Sequence, residues 1–407
     1  MRNFRFFLSP VLLFIPLAFL YAQTPKINSG LSAERLKYYE KFIKSEIEHQ
    51  KIPGAVTLVM HNGIIGHKAA YGYSNSITKT PLKTDDIFYI QSMTKPVISV
   101  ALMMLYEEGH FLLTDPISKY IPAFKDLKVS RDVNAGSGGA TDPLDKEITF
   151  VHLLSHTSGL THGLGQSQLD KDFMKGYFMK SWADIRGRAS SITNFPLVGQ
   201  PGKQWSYSAG HDVASMLIEQ FSGMSTDEFL RERLFKPLGM NDTGYNLTKA
   251  QQARVVKVHS RVDNGPLILA EEQPKMEGNT VWSGVNGLYS TAQDYMNFCQ
   301  MMLNKGTFNG KQILSRKTVD LMTYNYAGKL FDRAGEGFGL GFAVMTEAAE
   351  SKILSSNGMY YWAGAFNTHF FIDPKENLIS IFMTQEAHYS NYYHDKMRQL
   401  VYQALYP

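Results

Sequence analysis

Two strings in this chain share a spelling that could do chemistry. Ser92-Met93-Thr94-Lys95 and Ser76-Ile77-Thr78-Lys79 each put a hydroxyl three residues before an amine. On a helix, residues three apart share a face, so the amine can reach the hydroxyl oxygen. An amine without its proton can then take the proton of the hydroxyl, and the oxygen becomes a nucleophile towards a carbonyl carbon. Spacing alone does not choose between the strings, since a chain of 407 residues should contain roughly one or two Ser-x-x-Lys matches by chance. The elements that hold each string have to decide.

The string at 76–79 lies in NSITKTPLKTDD, a polar stretch with Pro81 and no apolar periodicity after Lys79. It reads as a solvated loop. The string at 92–95, in QSMTKP, leads into VISVALMMLYEEGH, which is apolar almost all round and ends at Gly109. A helix apolar on every face is buried. Pro96 lacks an N–H and is tolerated only near a helix start, so this helix begins at or just before Ser92. Lys95 is then one turn on, at the mouth of an interior helix. The positive end of the helix dipole and partial burial both disfavour an ammonium there. Both lower the lysine pKa, as a general base near neutral pH requires. The Ser92 N–H can also face a developing oxyanion. A capping serine followed by a surface lysine is the competing reading of the same residues. Tyr207, in the loop QWSYSAG after Pro201-Gly202, could relay a proton, but among 22 tyrosines nothing local singles it out.

The surrounding elements follow from pattern. Residues 31–51 read as a helix. AVTLVMHNGIIGHKAAYGYS has two apolar runs about His61-Asn62-Gly63, and Asn-Gly supplies the positive φ angles of a tight hairpin. His61 and His67 flank that turn and are expected to face solvent. VSRDVNAGSGGATDPLDKE reads as a glycine-rich loop, and ITFVHLLSHTSGL as a short helix capped by Thr149 and closed by Gly159. Residues 161–200 are poorly periodic. HDVASMLIEQFSG and STDEFLRERLFKPLGM predict two helices, the second opened by Ser225 or Thr226 and stopped before Pro237. STAQDYMNFCQMMLNKG and SRKTVDLMTYN predict two more. GFGLGFAVM, YYWAGAFNTHFFID and NLISIFMTQ read as strands, with residues 373–377 as the turn between the last two. Strands at both ends and helices between predict an α/β (α+β) fold. One antiparallel sheet is built from both chain ends and flanked by helices, with a mostly helical insertion. The expected division is sheet parts at about 31–105 and 280–407 and an insertion at about 106–279.

Bulk properties exclude several classes. The N-terminus, MRNFRFFLSPVLLFIPLAFLYAQTPK, reads as a secretory signal peptide over residues 1–22, with basic Arg2 and Arg5, an apolar run and Ala22 for cleavage. A retained anchor is disfavoured, because the run is short and broken by Pro10 and Pro16. An exported protein, periplasmic or secreted, with no later membrane span is expected. Net charge is +4, of which Arg2 and Arg5 supply two, and no basic stripe appears. Nucleic acid is therefore a poor partner. The single cysteine, Cys299, lies in an apolar helical run and reads as a buried structural thiol. The 12 histidines form no metal-ligand pattern, so neither metal nor cofactor is expected. The oligomeric state is left open.

Four motifs together resemble a known family. Ser92-Met93-Thr94-Lys95-Pro96, Leu153 to Leu160 (LLSHTSGL), Tyr207-Ser208-Ala209-Gly210 and Pro237-Leu238-Gly239-Met240 occur in order, within a resemblance that spans nearly the whole mature chain, from the hairpin at 55 to Gln385. They are similar to those of the serine β-lactamase and penicillin-binding-protein superfamily, closest to class C β-lactamases and related carboxylesterases. The resemblance implies a sheet domain with a helical insertion and a site in the cleft between them. It implies Ser92 as acyl-accepting nucleophile, Lys95 as its proton partner, and Tyr207 as a general base that also serves the leaving group. The family's Lys-Thr-Gly strand is matched by Trp362-Ala363-Gly364, after which Ala365 would give a second oxyanion N–H; His156 is expected to be structural. Two departures matter. Trp362-Ala363 removes the ammonium and hydroxyl that hold a β-lactam carboxylate, and Ala209 replaces an asparagine that contacts substrate and lysine. Both favour an uncharged ester or amide of small-molecule size, hydrolysed through an acyl-serine. The alternatives are a β-lactamase or a D-amino-acid or cell-wall peptidase, and, in another class, a non-catalytic binding protein on the same fold.

Overall fold

The computed structural model describes residue 1 and residues 29–261, 265–331 and 333–406. The proposed signal segment, apart from Met1, lies outside the described residues. Strands are β1 (Gly54–His61), β2 (Ile64–Asn75), β3 (Thr80–Pro81), β4 (Glu336–Phe338), β5 (Ala343–Met345), β6 (Tyr360–Gly364), β7 (Thr368–Asp373) and β8 (Leu378–Met383). They form one sheet in the order β4-β5-β6-β7-β8-β1-β2-β3, with every pairing antiparallel. The two chain ends meet where β1 pairs β8, from Val56 opposite Met383 to His61 opposite Leu378.

The central strands β1, β7 and β8 are buried on both faces, and period-2 alternation assigns each residue to a face. Val56, Leu58 and Met60 of β1 share one core with Phe370, Ile372, Ile379 and Ile381. Ala55 and Val59 share the other with Phe371, Leu378 and Phe382. Helices α1 (Ala33–Glu48) and α5 (Asn391–Tyr402) cover the second face, through Leu36, Tyr39 and Ile43 and through Met397 and Val401. The first face meets α2 (Thr94–Glu107) and α4 (Ala292–Leu303), and α3 (Gly210–Ser222) packs on α2. Every residue of α2 from Thr94 to Leu105 is buried. Burying one of its large aliphatic side chains contributes about 1.5–3 kcal/mol, and truncation to alanine costs about 2–5 kcal/mol. Cys299 is buried within α4.

The hairpin forms as the Asn-Gly pair predicts, with φ +53° at Asn62 and +74° at Gly63. His61 does not face solvent. It is buried, with Nδ1 against the Ser29 carbonyl, while half-buried His67 meets Thr57 Oγ1 at 2.8 Å. The chain before β1 folds over the hairpin and covers them. The loop at 129–147 contains a small ribbon, Lys128–Ser130 against Thr141–Pro143. Proline does not stop the helix at 237. After Thr226–Leu230 the chain widens into a π turn, Arg231–Phe235, in which the Lys236 N–H reaches Arg231 O, and Pro237 falls inside the last turn, Lys236–Leu238. A proline removes only its own N–H, and after a widened turn that donor has no fixed partner. Gly239, at φ +66°, ends the helix instead. Two segments read as single strands are hairpins: 336–345 gives β4 and β5, and 360–373 gives β6 and β7, the latter turning at Asn367 with φ +60°.

Candidate active site

Gln91–Met93 make one 3-10 turn that runs directly into α2. Gln91 is held at φ +48°. A non-glycine residue there costs about 1–3 kcal/mol, and such strain persists only where the surroundings impose it. The surroundings here are tight. Ile90 N–H donates to Leu288 O at 3.0 Å, and the end of β6 lies against the Ile90 carbonyl. A Cβ on Gly364 would sit 2.3 Å from that oxygen, so only glycine lets the strand approach. Trp362 and Ala363 are half-buried on β6, and Ala365 is exposed at the turn that follows.

Lys95 is fully buried, while Ser92 is only half-buried. Lys95 Nζ lies 3.2 Å from Ser92 Oγ and donates to the Val285 carbonyl at 2.9 Å. Burial holds the lysine well below its ordinary pKa; the nearby Asp212 carboxylate opposes this and the Arg188 guanidinium adds to it. A neutral amine donating one N–H to Val285 keeps its lone pair for the serine hydroxyl.

Tyr207 completes the group. Lys95 Nζ stands 4.5 Å from the centre of its ring. His162 stacks on the ring at 5.0 Å and 4°, while His156 and Trp362 lie at 4.8 and 5.6 Å. Burial pushes the phenol well up, only partly offset by interactions with Ser92 and Trp362 that favour the phenolate. At neutral pH it is a protonated phenol. The loop that carries it is tied to the segment after the Thr149-capped helix Phe150–Leu154. Ser206 N–H donates to His156 O at 2.8 Å, and Ser208 Oγ meets His156 Nδ1 at 3.0 Å. Burial keeps His156, His162 and His211 well below the usual histidine pKa, hence uncharged. A surface cleft of about 630 Å³ opens beside Tyr207, lined by Thr161, His162, Asp170, Gln204 and Ser206 among others.

The structure thus brings Ser92, Lys95, Tyr207 and Trp362 together and sets Gly364 against the segment leading into Ser92. Ala209 is placed differently from the expectation of a substrate contact: it is wholly buried at the start of α3, its N–H on Thr161 O. The other Ser-x-Thr-Lys string forms the four-residue turn between β2 and β3. Asn75 Oδ1 caps it by accepting from the Ile77 and Thr78 N–H groups, and Lys79 is exposed.

Sequence reasoning missed Asp212, Arg188, His162 and His211. Asp212 carried a faint signal, a charged residue inside the otherwise apolar first turns of α3. Arg188 carried none, lying in the poorly periodic 161–200 stretch. Among the described residues no cluster of three or more His, Cys, Asp or Glu is placed to hold a metal, and no helix is long and apolar enough to cross a membrane.

Comparison with known proteins places the chain in a family. Protein Rv1367c of Mycobacterium tuberculosis is 31% identical over 352 residues, covering 83% of this chain and 86% of that one. Esterase EstB of Burkholderia gladioli is 23% identical, covering 84% and 88%. Among solved structures, EstCE1, described as a hydrolase with promiscuous acyltransferase activity, superposes with a TM-score of 0.76 at 24% identity, covering 91% and 99%. The β-lactamase family model matches residues 39–404, from within α1 to beyond α5, so the sheet, the α2 turn and the Tyr207 loop all fall inside the match and the chain belongs to the β-lactamase family.

Proposed function

We propose that this member of a serine hydrolase-type family is an exported carboxylesterase that cleaves esters of small acyl groups through an acyl-Ser92 intermediate. One observation carries the reading: a fully buried Lys95 amine 3.2 Å from the half-exposed Ser92 hydroxyl. Ser92 Oγ attacks the acyl carbon and its proton passes to Lys95 Nζ. The tetrahedral intermediate collapses, the C–O bond of the ester breaks, and the leaving oxygen takes a proton from the Tyr207 phenol. Lys95 restores that proton. A water then repeats the steps in reverse, its oxygen going to the acyl carbon and its proton returning Ser92 to the hydroxyl form. Tyr207 enters as a proton donor, because burial keeps it protonated. In this reading Tyr207 keeps the leaving-group part of the role the resemblance implies, and Lys95 takes the part of general base. The Ser92 and Ala365 N–H groups are the proposed oxyanion donors.

Ester rather than β-lactam is supported by the β6 residues Trp362 and Ala363, which offer neither an ammonium nor a hydroxyl to a carboxylate. Esterase EstB and EstCE1 are named as acting on esters or by hydrolysis, which supports the same side. Export rests on the N-terminal sequence alone. The test is a panel of p-nitrophenyl esters and a chromogenic cephalosporin on purified protein. Faster turnover of a short-chain ester is expected; a cephalosporin rate well above every ester would reverse the assignment.

A further inference from the structure

Asp212 is a fully buried carboxylate on α3, five residues after Tyr207. Its Oδ1 accepts from Ser283 Oγ at 2.6 Å and from the Val285 N–H at 3.2 Å. Its Oδ2 accepts from the Tyr177 hydroxyl at 2.9 Å and pairs with Arg188 Nε at 3.0 Å. Val285 is the residue whose carbonyl receives Lys95 Nζ. The carboxylate therefore holds, one peptide unit away, the acceptor that fixes the lysine amine. The contact is close-packed: a Cβ on Gly284 would lie 1.8 Å from the His211 carbonyl oxygen. His211 in turn meets Ser99 of α2 at 3.0 Å, one turn past Lys95.

We propose that Asp212, paired with Arg188, is a positioning residue that clamps the Val285 carbonyl against Lys95 and so aims the amine at Ser92. Breaking a buried pair leaves an uncompensated charge, whereas an apolar replacement of both partners is often tolerated. Such a pair in the interior has a use beyond stability. It places a negative and a positive charge near one amine, so each partner pulls the proton affinity of Lys95 in the opposite direction. The other groups around the amine are the protonated Tyr207 phenol and the neutral imidazoles of His156, His162 and His211. All are uncharged at neutral pH. Asp212 and Arg188 are thus the charged groups that act on Lys95.

The inference rests on Lys95 as the proton acceptor, and its test is separable from that reading. The acidic limb of kcat/KM for an ester reports the base in the free enzyme. Asp212→Asn removes a negative charge and should move that limb to lower pH by roughly half a unit or more. Arg188→Gln removes a positive charge and should move it to higher pH. Ser283→Ala leaves both charges in place and weakens the clamp, so kcat should fall with the limb unmoved. If Asp212→Asn alone does not fold, the double variant Asp212→Asn/Arg188→Gln removes both charges and should keep the limb near its wild-type position, with kcat reduced. Limbs that stay fixed, or move the same way in both single variants, overturn the proposal. Wild-type protein that fails to react with a fluorophosphonate at Ser92 would instead sink the reading of the site.

Discussion

The turn at 76–79 and the turn at 91–95 carry the same four-letter pattern in one chain, with a half-buried serine in each, and only one of them buries its lysine. Lys79 is exposed at the edge of the sheet. Lys95 begins a helix buried on every side, 3.2 Å from the hydroxyl of a half-buried serine. The lesson is that a serine three residues before a lysine is a geometry, and burial turns it into chemistry. The asymmetry between a buried base and a half-exposed nucleophile is the useful part, since the substrate must reach one and water must be kept from the other.

The comparison breaks most visibly if the wrong string is altered. Ser92→Ala should abolish ester hydrolysis by roughly 10³-fold or more, and Lys95→Met by about 10²–10⁴-fold, measured as kcat/KM. A Lys95→Met enzyme within tenfold of wild type would remove the proton-transfer role.

The histidines packed beside Lys95 sharpen the contrast next. In the unfolded chain they take up protons near pH 6.5, and in the fold burial prevents it. Between those two pKa values the unfolded state binds more protons, so stability falls as pH drops below about 6.5. The loss is up to about 1.4 kcal/mol per site for each pH unit. Asp294, pushed up to about 6 by burial, works in the opposite sense, as do Asp86, Asp227 and Asp395, whose carboxyls burial also raises. Calorimetry at pH 7 and pH 5 should show a falling Tm; a Tm that holds would mean that the imidazoles are solvated.

The smallest effect is expected at the other string. Ser76→Ala and Lys79→Ala should leave esterase activity unchanged and stability within about 0.5 kcal/mol. A loss of activity there would erase the distinction between the two turns.

Much of this architecture was legible because it is local. Asn62-Gly63 marks the hairpin, the apolar run after Pro96 marks a buried helix, and strand composition returns after residue 336. The paired chain ends follow from having strands at both ends and one sheet to close. What was not legible depends on residues far apart. Nothing near Asp212 announces Tyr177, Arg188 or Ser283, because those partners are placed by packing of the helical region on α2. The β6–β7 turn was missed because Ala365-Phe366-Asn367 lacks glycine and proline, and Asn367 takes the left-handed conformation in their stead. Gly364 looked like a motif letter; its reason is the Ile90 carbonyl beside it.

The most direct test is to trap the acyl-enzyme and locate it. Wild-type, Ser92→Ala and Ser76→Ala proteins are each treated with a fluorophosphonate and digested, and the modified peptide is identified by mass spectrometry. The account predicts one adduct on Ser92 in wild type and in Ser76→Ala, and none in Ser92→Ala. An adduct on any other residue, or folded wild-type protein that stays unmodified, would contradict it.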